Sequence, residues 1–326
     1  MTANAGGTQR QALVLGASGG IGGEVARQLR DAGWQVRALK RALDPGTVEL
    51  DGIAWMRGDA LDREAVVRAA RGCSVIVHAV NPPGYRNWST QVLPMIDNTI
   101  AAATVAQATV VLPGTIYNYG PDAFPVLREE APQHPVTRKG AIRVEMERRL
   151  QAATAQGVRT IIVRAGDFFG GHAGNTWFGQ GLVKAGQPVA AISVPGRPGV
   201  GHQWAYVPDV ARTMVELLER RDTLAPFARF HFGGHWDADG TQMTQAVRRV
   251  AQRHGMRPTV RRFPWWLVWA AAPFVTTMRE MLEMRYLWRE PLRMDNARVT
   301  AVLGREPMTP LDTAVEATLA GLGCLR

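Results

Sequence analysis

Two apolar runs, joined by a glycine-rich turn and a helix-like segment, follow one another across residues 13–41. The turn reads Gly16-Ala17-Ser18-Gly19-Gly20-Ile21-Gly22, and the second run ends in Lys40-Arg41. This succession predicts a strand, a tight turn, a helix and a second strand. Such a unit holds the pyrophosphate of a dinucleotide at the N-terminus of the helix, where free N–H groups and the helix dipole favour an anion.

The spacing of the glycines fits a phosphate site. Gly16 permits the tight turn, Gly19 lets backbone N–H groups approach the phosphate, and Gly22 lets the helix pack closely on the strand. A purely structural turn is the alternative, because turns are rich in glycine anyway. The predicted phosphate-binding residues are Gly16, Ser18, Gly19, Gly20, Ile21 and Gly22.

The end of the second strand indicates which dinucleotide binds. An NAD site usually carries Asp or Glu there, to bind the ribose 2′-OH, but residues 36–41 contain no acid and offer Arg37, Lys40 and Arg41 instead. Cations at this point favour the dianionic 2′-phosphate of NADP. We therefore predict NADP in preference to NAD, with Lys40 and Arg41 at the phosphate. A solvated, charged strand end is the alternative.

Strand-like and helix-like segments alternate as far as residue 163, and this rhythm predicts an α/β fold with a doubly wound parallel (Rossmann) sheet. A smaller, mostly helical C-terminal substrate lobe follows. The predicted domains are a dinucleotide-binding domain of residues 1–165, to which residues 205–232 return, and a substrate lobe of residues 166–204 and 233–326. Ligands lie at the carboxyl ends of parallel strands. The further predicted cofactor-binding residues are Asp59, Ala60, Ala79 and Val80.

Composition excludes several classes of function. The chain of 326 residues has a formal net charge of +10, but its basic residues are dispersed and form no nucleic-acid-binding motif. Cys73 and Cys324 lie far apart, and no cysteine or histidine spacing predicts a metal site. The cysteine usage and the polar first ten residues suggest a cytoplasmic protein. The most apolar segment, residues 263–275, is too short to span a bilayer.

Several ordered segments resemble the short-chain dehydrogenase/reductase superfamily, in its extended and atypical, epimerase/dehydratase-like branches. They are the glycine turn, Gly58-Asp59, Thr115-Ile116-Tyr117-Asn118-Tyr119-Gly120 and Tyr206-Val207-Pro208-Asp209-Val210-Ala211. The resemblance implies that Asp59 contacts the adenine half of the cofactor and that Thr115 takes the place of the catalytic hydroxyl. It also implies that Tyr119 packs in the core, which leaves Tyr117 as a spare proton donor.

The chain departs from that superfamily at its catalytic Y-x-x-x-K pair. The matching segment is Lys139-Gly140-Ala141-Ile142-Arg143, so lysine stands in the place of tyrosine and arginine in the place of lysine. This pattern resembles the isoflavone-reductase branch, where the lysine is the proposed proton-handling residue, and the NmrA-like branch, which senses NADP. We predict that Lys139 faces the nicotinamide and that Arg143 fixes ribose or phosphate. With Glu147 they share one helix face, so an exposed, salt-bridged surface is the alternative.

The substrate side is predicted from loops and aromatic residues. Its predicted residues are Arg164, His172, Asn175, Trp177, His202 and Trp204. In nucleotide-sugar members of the superfamily an arginine that grips a diphosphate stands where this chain has His202, so recognition of a diphosphate is disfavoured. The tryptophans favour an apolar or aromatic substrate, although core packing is the alternative. Residues 278–288 have helical apolar spacing and fit core packing, a homodimer face or a lid.

Three hypotheses of function follow. The first is an NADP-dependent oxidoreductase that reduces a small apolar carbonyl or an activated alkene. The second is a sugar-nucleotide epimerase or dehydratase, and the third is a non-catalytic protein that senses NADP or binds a partner. All three place a dinucleotide at the glycine turn, and they differ in what Lys139 and the C-terminal lobe do.

Overall fold

The computed structural model describes residues 10–44, 46–82, 87–174 and 176–325. The strands are β1 (Gln11–Leu15), β2 (Gln35–Lys40), β3 (Thr47–Leu50), β4 (Ile53–Arg57), β5 (Val75–His78), β6 (Thr109–Gly114), β7 (Val126–Leu127), β8 (Thr160–Arg164), β9 (Asp167–Phe169), β10 (Ala191–Val194), β11 (His202–Tyr206), β12 (Phe227–His231), β13 (His235–Asp237), β14 (Thr259–Arg262) and β15 (Arg293–Met294). The α-helices are α1 (Gly20–Asp31), α2 (Arg63–Ala70), α3 (Trp88–Ala106), α4 (Arg138–Ala152), α5 (Val207–Leu218), α6 (Gln242–Arg253), α7 (Trp265–Ala271), α8 (Thr276–Glu283), α9 (Ala297–Leu303) and α10 (Leu311–Gly321).

The central sheet has eight strands in the order β12-β8-β6-β5-β1-β2-β4-β3. All neighbouring pairs are parallel except β3 and β4. The chain winds outwards in opposite directions from β1, so a topological switch point lies between β1 and β5, where ligands bind in such sheets. The predicted α/β class with a doubly wound parallel sheet is confirmed.

Both faces of this sheet are covered, which explains the continuous apolar run of β1. All five residues of β1 are buried. Val14 packs in one core cluster with residues of α1 and α5, whereas Leu13 and Leu15 pack in the opposite cluster with residues of α2, α3 and α4. A strand buried on both sides needs apolar residues at every position, because successive side chains point to opposite faces.

Two elements differ from the pattern that the sequence suggests. Strand β3 is an antiparallel edge strand whose four residues are all exposed, and so short an exposed segment carries little sequence signal. Helix α3 begins at Trp88 and contains Pro94, although proline is expected to start a helix rather than lie inside one. Nineteen residues of largely apolar helix packed on the sheet compensate for the single hydrogen bond that proline removes.

The C-terminal part of the chain forms smaller sheets beside the central one. They have the orders β13-β11-β9, β10-β14 and β15-β7. A separate core cluster joins α6 and α10 to β11. Helix α5 packs on the central sheet, and strand β12 forms one edge of it. Strand β11 belongs instead to the three-stranded sheet β13-β11-β9. The division of the chain into two domains stays a prediction.

Two buried histidines make the stability of this fold depend on pH. Burial, together with the charge of Arg143, lowers the pKa of His78 to about 3, and burial with the charge of Arg164 lowers the pKa of His231 to about 3. Both remain neutral in the folded chain but bind protons below about pH 6.5 once unfolded. The free energy of unfolding is therefore expected to fall as the pH drops from about 6.5 towards 3, by up to ~1.4 kcal/mol per pH unit for each histidine.

Urea unfolding at about pH 7.5 and about pH 5 measures this loss of stability. The variant His78→Gln should lose a smaller part of its stability between the two pH values than the unmodified chain does. Replacement of the exposed, non-ionisable Gln151 with alanine serves as the control and should leave the pH dependence unchanged. Equal unfolding free energies at the two pH values would contradict the neutral, buried state of both histidines.

Candidate cofactor and active site

A cleft of about 1010 Å³ lies at the carboxyl ends of the parallel strands. Residues that follow β1, β2, β4, β5 and β6 line it, since the carboxyl ends of parallel strands meet at one edge of a sheet. The predicted cofactor-binding residues in its lining are Gly16, Ser18, Gly19, Gly20, Ile21, Lys40, Arg41, Asp59, Ala60, Ala79, Val80 and Lys139. Gly22 lies beneath this lining, where α1 meets the turn.

The glycine turn is too tight for side chains at three positions. Gly16 has φ +90°, and a Cβ there would lie 2.6 Å from the carbonyl of Ala79. A Cβ on Gly22 would lie 2.3 Å from the oxygen of Gly16, and one on Gly20 would lie 2.8 Å from the Cα of Ala173. At the N-terminus of α1, backbone atoms of these glycines therefore face the cleft without side chains between them and a ligand. These residues fit the pyrophosphate of a dinucleotide.

The three cations in and directly after β2 have different positions. Lys40 and Arg41 are exposed and line the cleft. Arg37 does not line it, because its guanidinium donates to the carbonyl oxygen of Arg71 at 2.6 Å and to the side chain of Gln11 at 2.9 Å. Lys40 and Arg41 are thus the cations that a ligand in the cleft can reach, whereas Arg37 ties strand β2 to its neighbours.

Helix α4 brings Lys139 and Arg143 into the cleft. The hydroxyl of Thr137 caps the helix by accepting from the N–H of Gly140 at 3.0 Å. Gly140 packs directly on the backbone of Tyr117, since a Cβ there would lie 2.1 Å from the Tyr117 oxygen. Lys139 and Arg143 are both about 95% buried. The face that they share is part of the interior and not a solvated surface.

Lys139 is held beside a carboxylate and an indole. Its Nζ lies 2.5 Å from Oε2 of Glu280 on α8 and 6.0 Å from the ring centroid of Trp88. Burial lowers the pKa of Lys139, and the hydrogen bond and charge of Glu280 offset part of that shift. A lysine whose ammonium form is destabilised in this way gives up a proton more readily than one in water.

Arg143 lies next to Lys139 on the same helix face. Its Nη2 donates to Oδ1 of Asn81 at 2.7 Å, and its guanidinium lies 5.2 Å from the centroid of Trp88. Asn81 follows β5 and also lines the cleft. Arg143 is thereby fixed over the carboxyl end of β5, where it can bind an anion or a ribose hydroxyl.

A buried network lies beneath the cleft and positions Thr115. Both carboxylate oxygens of Glu147 accept from Nη2 of Arg164, at 2.8 and 2.9 Å. Arg164 also donates to the carbonyl oxygen of Thr115 at 2.5 Å. Asn118 donates to Glu147 at 2.9 Å and accepts from the hydroxyl of Thr115 at 2.6 Å. Glu147 therefore pairs with Arg164, not with Arg143.

This network corrects the prediction for Arg164. Arg164 is 1% exposed and does not line the cleft, because β8 is an inner strand and its last side chain turns under the sheet edge towards α4. Its guanidinium holds the backbone of Thr115 and is not among the groups that line the cleft. Thr115 and Tyr117 do line the cleft, whereas Tyr119 is fully buried, with the Arg164 guanidinium 5.1 Å from its ring centroid.

The other predicted substrate residues divide into two groups. His172 and Trp177 line the cleft. His202 and Trp204 are buried and lie outside it, because β11 is the middle strand of its small sheet. Nε2 of His202 lies 2.7 Å from Oδ2 of Asp167, and Asp167 lines the cleft. His202 therefore contacts a residue of the cleft without lining the cleft itself. Asn175 lies outside the described residues.

Sequence reasoning did not single out several residues of the site. Among them are Asn81, Trp88 and Asp167, which line the cleft, and Glu280, which pairs with Lys139. Asn81 comes directly after a predicted strand, so the rule of strand ends could have found it. Nothing in the pattern of α8 singles out Glu280, since its pairing with Lys139 depends on how the C-terminal part of the chain packs on α4.

Comparisons with known proteins agree with this geometry. Residues 12–233 match the NAD dependent epimerase/dehydratase family. The structure resembles UDP-glucose 4-epimerase from Brucella ovis in complex with NAD, with a TM-score of 0.73 and 17% identity over 97% of this chain and 100% of that one. It also resembles UDP-glucuronic acid 4-epimerase from Bacillus cereus, with a TM-score of 0.70 and 14% identity over 96% of this chain and 98% of that one.

One curated relative is a reductase. The (4-alkanoyl-5-oxo-2,5-dihydrofuran-3-yl)methyl phosphate reductase of Streptomyces griseus is 42% identical over 71 residues, which are 22% of this chain and 25% of that protein. The chain spans at most half the length of the two curated relatives that it matches.

The fold and the site define a protein of the NAD(P)-binding Rossmann type. The chain belongs to the NAD dependent epimerase/dehydratase family, within the extended short-chain dehydrogenase/reductase superfamily.

Proposed function

We propose that the chain is an NADP-dependent reductase of a small apolar carbonyl or an activated alkene. The observation that carries the proposal is Lys139, a buried ammonium group in the cleft at the position where the superfamily has its catalytic tyrosine. The exposed cations Lys40 and Arg41 at the end of β2 support NADP, since no acid stands there to bind a 2′-OH.

The residues of the cleft have separate tasks in this proposal. Bound NADPH supplies a hydride to the substrate. Lys139 donates the accompanying proton, because burial destabilises its ammonium form and so lowers its pKa. Arg143 holds ribose or phosphate, and Thr115 presents its hydroxyl where the network of Glu147 and Arg164 fixes it.

The lining of the remaining cleft supports an apolar substrate. Its apolar side chains are Trp88, Met95, Phe168, Trp177, Met284 and Leu287. His202, which stands where nucleotide-sugar members of the superfamily have an arginine that grips a diphosphate, lies outside the cleft, and so does the buried Arg164. A diphosphate would therefore have to rely on Arg143 and the exposed His172.

An epimerase or dehydratase of sugar nucleotides is the second candidate, favoured by the likeness of fold to UDP-sugar epimerases. The two candidates differ in what binds beside the cofactor. Isothermal titration of the chain with UDP-glucose, with and without NADP or NAD, separates them. Micromolar binding of UDP-glucose would replace the reductase proposal with this one.

The proposed cofactor is tested by titration with NADPH and NADH in parallel, followed by quenching of tryptophan fluorescence. The double variant Lys40→Gln/Arg41→Gln should lose at least ~10-fold in affinity for NADPH, since each charged contact to phosphate contributes about 1.5–3 kcal/mol. Its affinity for NADH should change less than about 3-fold, because NADH has no 2′-phosphate.

The arginines Arg63 and Arg248 provide a matched control, because both are exposed and neither lines the cleft. Their replacement by glutamine removes the same net charge and should leave both affinities unchanged. Equal affinity of the unmodified chain for NADH and NADPH would overturn the assignment of NADP. If NADPH binds, oxidation of NADPH is then followed with a panel of apolar ketones, aldehydes and conjugated alkenes. Tight binding without any turnover would favour the NADP-sensing alternative.

A further inference from the structure

Helices α7 and α8, with the loop between them, form an aromatic hairpin that leaves large apolar side chains in solvent. Trp266 is 71% exposed, Trp269 is 72% exposed and Phe274 is 88% exposed. Leu267 and Val275 extend the same surface, while Val268 is 4% exposed and seats α7 against the protein. A contiguous patch of large apolar groups on a soluble fold marks an interaction surface.

The charges on and beside the hairpin are sorted by side. The hairpin itself, residues 265–283, contains Arg279, Glu280 and Glu283, and the adjoining segments within residues 257–290 add five arginines and one glutamate, Arg257, Arg261, Arg262, Arg285, Arg289 and Glu290. Glu280 points inwards and pairs with Lys139, and the charge of Glu283 also raises the pKa of that lysine. Within the described parts of the chain, no carboxylate lies within 4.0 Å of any of the six arginines. The aromatic surface is thus bordered by unneutralised cations.

The arginines near Trp265 are also close to one another. The guanidinium of Arg285 lies 5.1 Å from the Trp265 ring centroid. Burial lowers the pKa of Arg285, and so do the charges of Arg289 and Arg197. Three guanidinium groups that repel one another are stabilised by a partner with several negative charges.

A second copy of the chain is a poor occupant for this surface. In a two-fold dimer the same patch faces itself, and the arginines of one copy would then approach those of the other. A surface of anionic lipid complements both features, because tryptophan and phenylalanine enter the boundary between headgroups and acyl chains while arginine binds the phosphates. The hairpin is too short to cross the bilayer, and no helix among the described residues could do so.

We propose that the aromatic hairpin docks the protein on the surface of an anionic lipid bilayer. Trp266, Trp269 and Phe274 enter the interface, and the flanking arginines contact headgroup phosphates. The inner face of α8 stays on the protein through the ion pair of Glu280 with Lys139. This surface is separate from the cofactor cleft, so the proposal stands whether or not the chain is a reductase.

Sedimentation of the full chain with vesicles tests the proposal. Vesicles of phosphatidylcholine mixed with phosphatidylglycerol should bind the chain, whereas vesicles of phosphatidylcholine alone should bind it at least ~10-fold more weakly. The triple variant Trp266→Ser/Trp269→Ser/Phe274→Ser should lose at least ~10-fold in partitioning. The double variant Arg262→Gln/Arg279→Gln should lose about 30-fold, and high salt should weaken binding of the unmodified chain.

Exposed apolar residues elsewhere give a matched control. The variant Leu50→Ser/Val105→Ser/Met308→Ser changes side chains that are 57%, 67% and 58% exposed on other elements, and it should bind vesicles as the unmodified chain does. All these substitutions are at exposed positions, and NADPH titration checks that each variant keeps its cleft. Equal binding by the hairpin variant and the control variant would overturn the proposal. So would a dimer that the hairpin substitutions dissociate, with no binding of the unmodified chain to vesicles.

Discussion

Replacement of Glu147 with alanine is expected to lower the free energy of unfolding by about 3–5 kcal/mol. Glu147 is 5% exposed, and its carboxylate is paired with the fully buried guanidinium of Arg164. Removal of the carboxylate leaves that guanidinium without its counter-charge, and it also removes the acceptor of the Gln133 amide and one of the two acceptors of the Asn118 amide. Urea unfolding at neutral pH, followed by circular dichroism, measures the loss.

The double variant Glu147→Leu/Arg164→Met tests the reason for that loss. Replacement of a whole buried ion pair by apolar groups is often close to neutral, so this variant should recover most of the stability. Glu64→Ala is the control, because Glu64 forms an exposed pair with Arg68 and its loss should cost less than about 1 kcal/mol. A change within about 1 kcal/mol for Glu147→Ala as well would show that Arg164 finds another partner or water.

The cofactor half of the cleft could be predicted from the sequence because backbone geometry alone places it. Each strand of a parallel sheet ends at the same edge, so Gly16, Asp59 and Val80 reach one cleft once the strands are recognised. The glycine turn adds a constraint that no tertiary contact can change, since Gly16 needs a positive φ and space for backbone only. The predicted positions for these residues agree with the structure.

The substrate half could not be predicted in the same way. Arg164 and His202 stand at strand ends, where the sequence suggests exposed side chains that bind substrate. In the structure Arg164 pairs with Glu147, and the ring of His202 stacks on that of Trp288 with 3.7 Å between the ring centroids. Glu280 lies about 140 residues from Lys139 along the chain, and the two meet only through tertiary packing of α8 beside α4. Contacts of this kind depend on tertiary packing, on which periodicity and motif spacing carry no information.

Replacement of Lys139 with methionine is expected to lower kcat for a reduced substrate by about 10²–10⁴-fold, the usual contribution of a positioned proton donor. The affinity for NADPH should change only a few-fold, because the proposed function assigns the cofactor's phosphates to the glycine turn, Lys40 and Arg41. Steady-state kinetics with a substrate found by NADPH oxidation, together with NADPH titration, measure the two effects. Unchanged kcat would remove Lys139 from the mechanism and leave Tyr117 as the proton donor in the cleft.

The pH dependence of turnover also tests whether Lys139 is the proton donor, because Glu280 pairs with Lys139 and affects its pKa. Lys139 must be protonated to act as an acid, so turnover should fall as the pH rises through its pKa. Burial lowers that pKa, and Glu280 raises it. Glu280→Gln removes the raising effect and should therefore move the alkaline limb of kcat/KM to lower pH, whereas Glu290→Gln, at an exposed position nearby, should not move it. A profile that Glu280→Gln leaves in place would mean that the proton comes from a group other than Lys139.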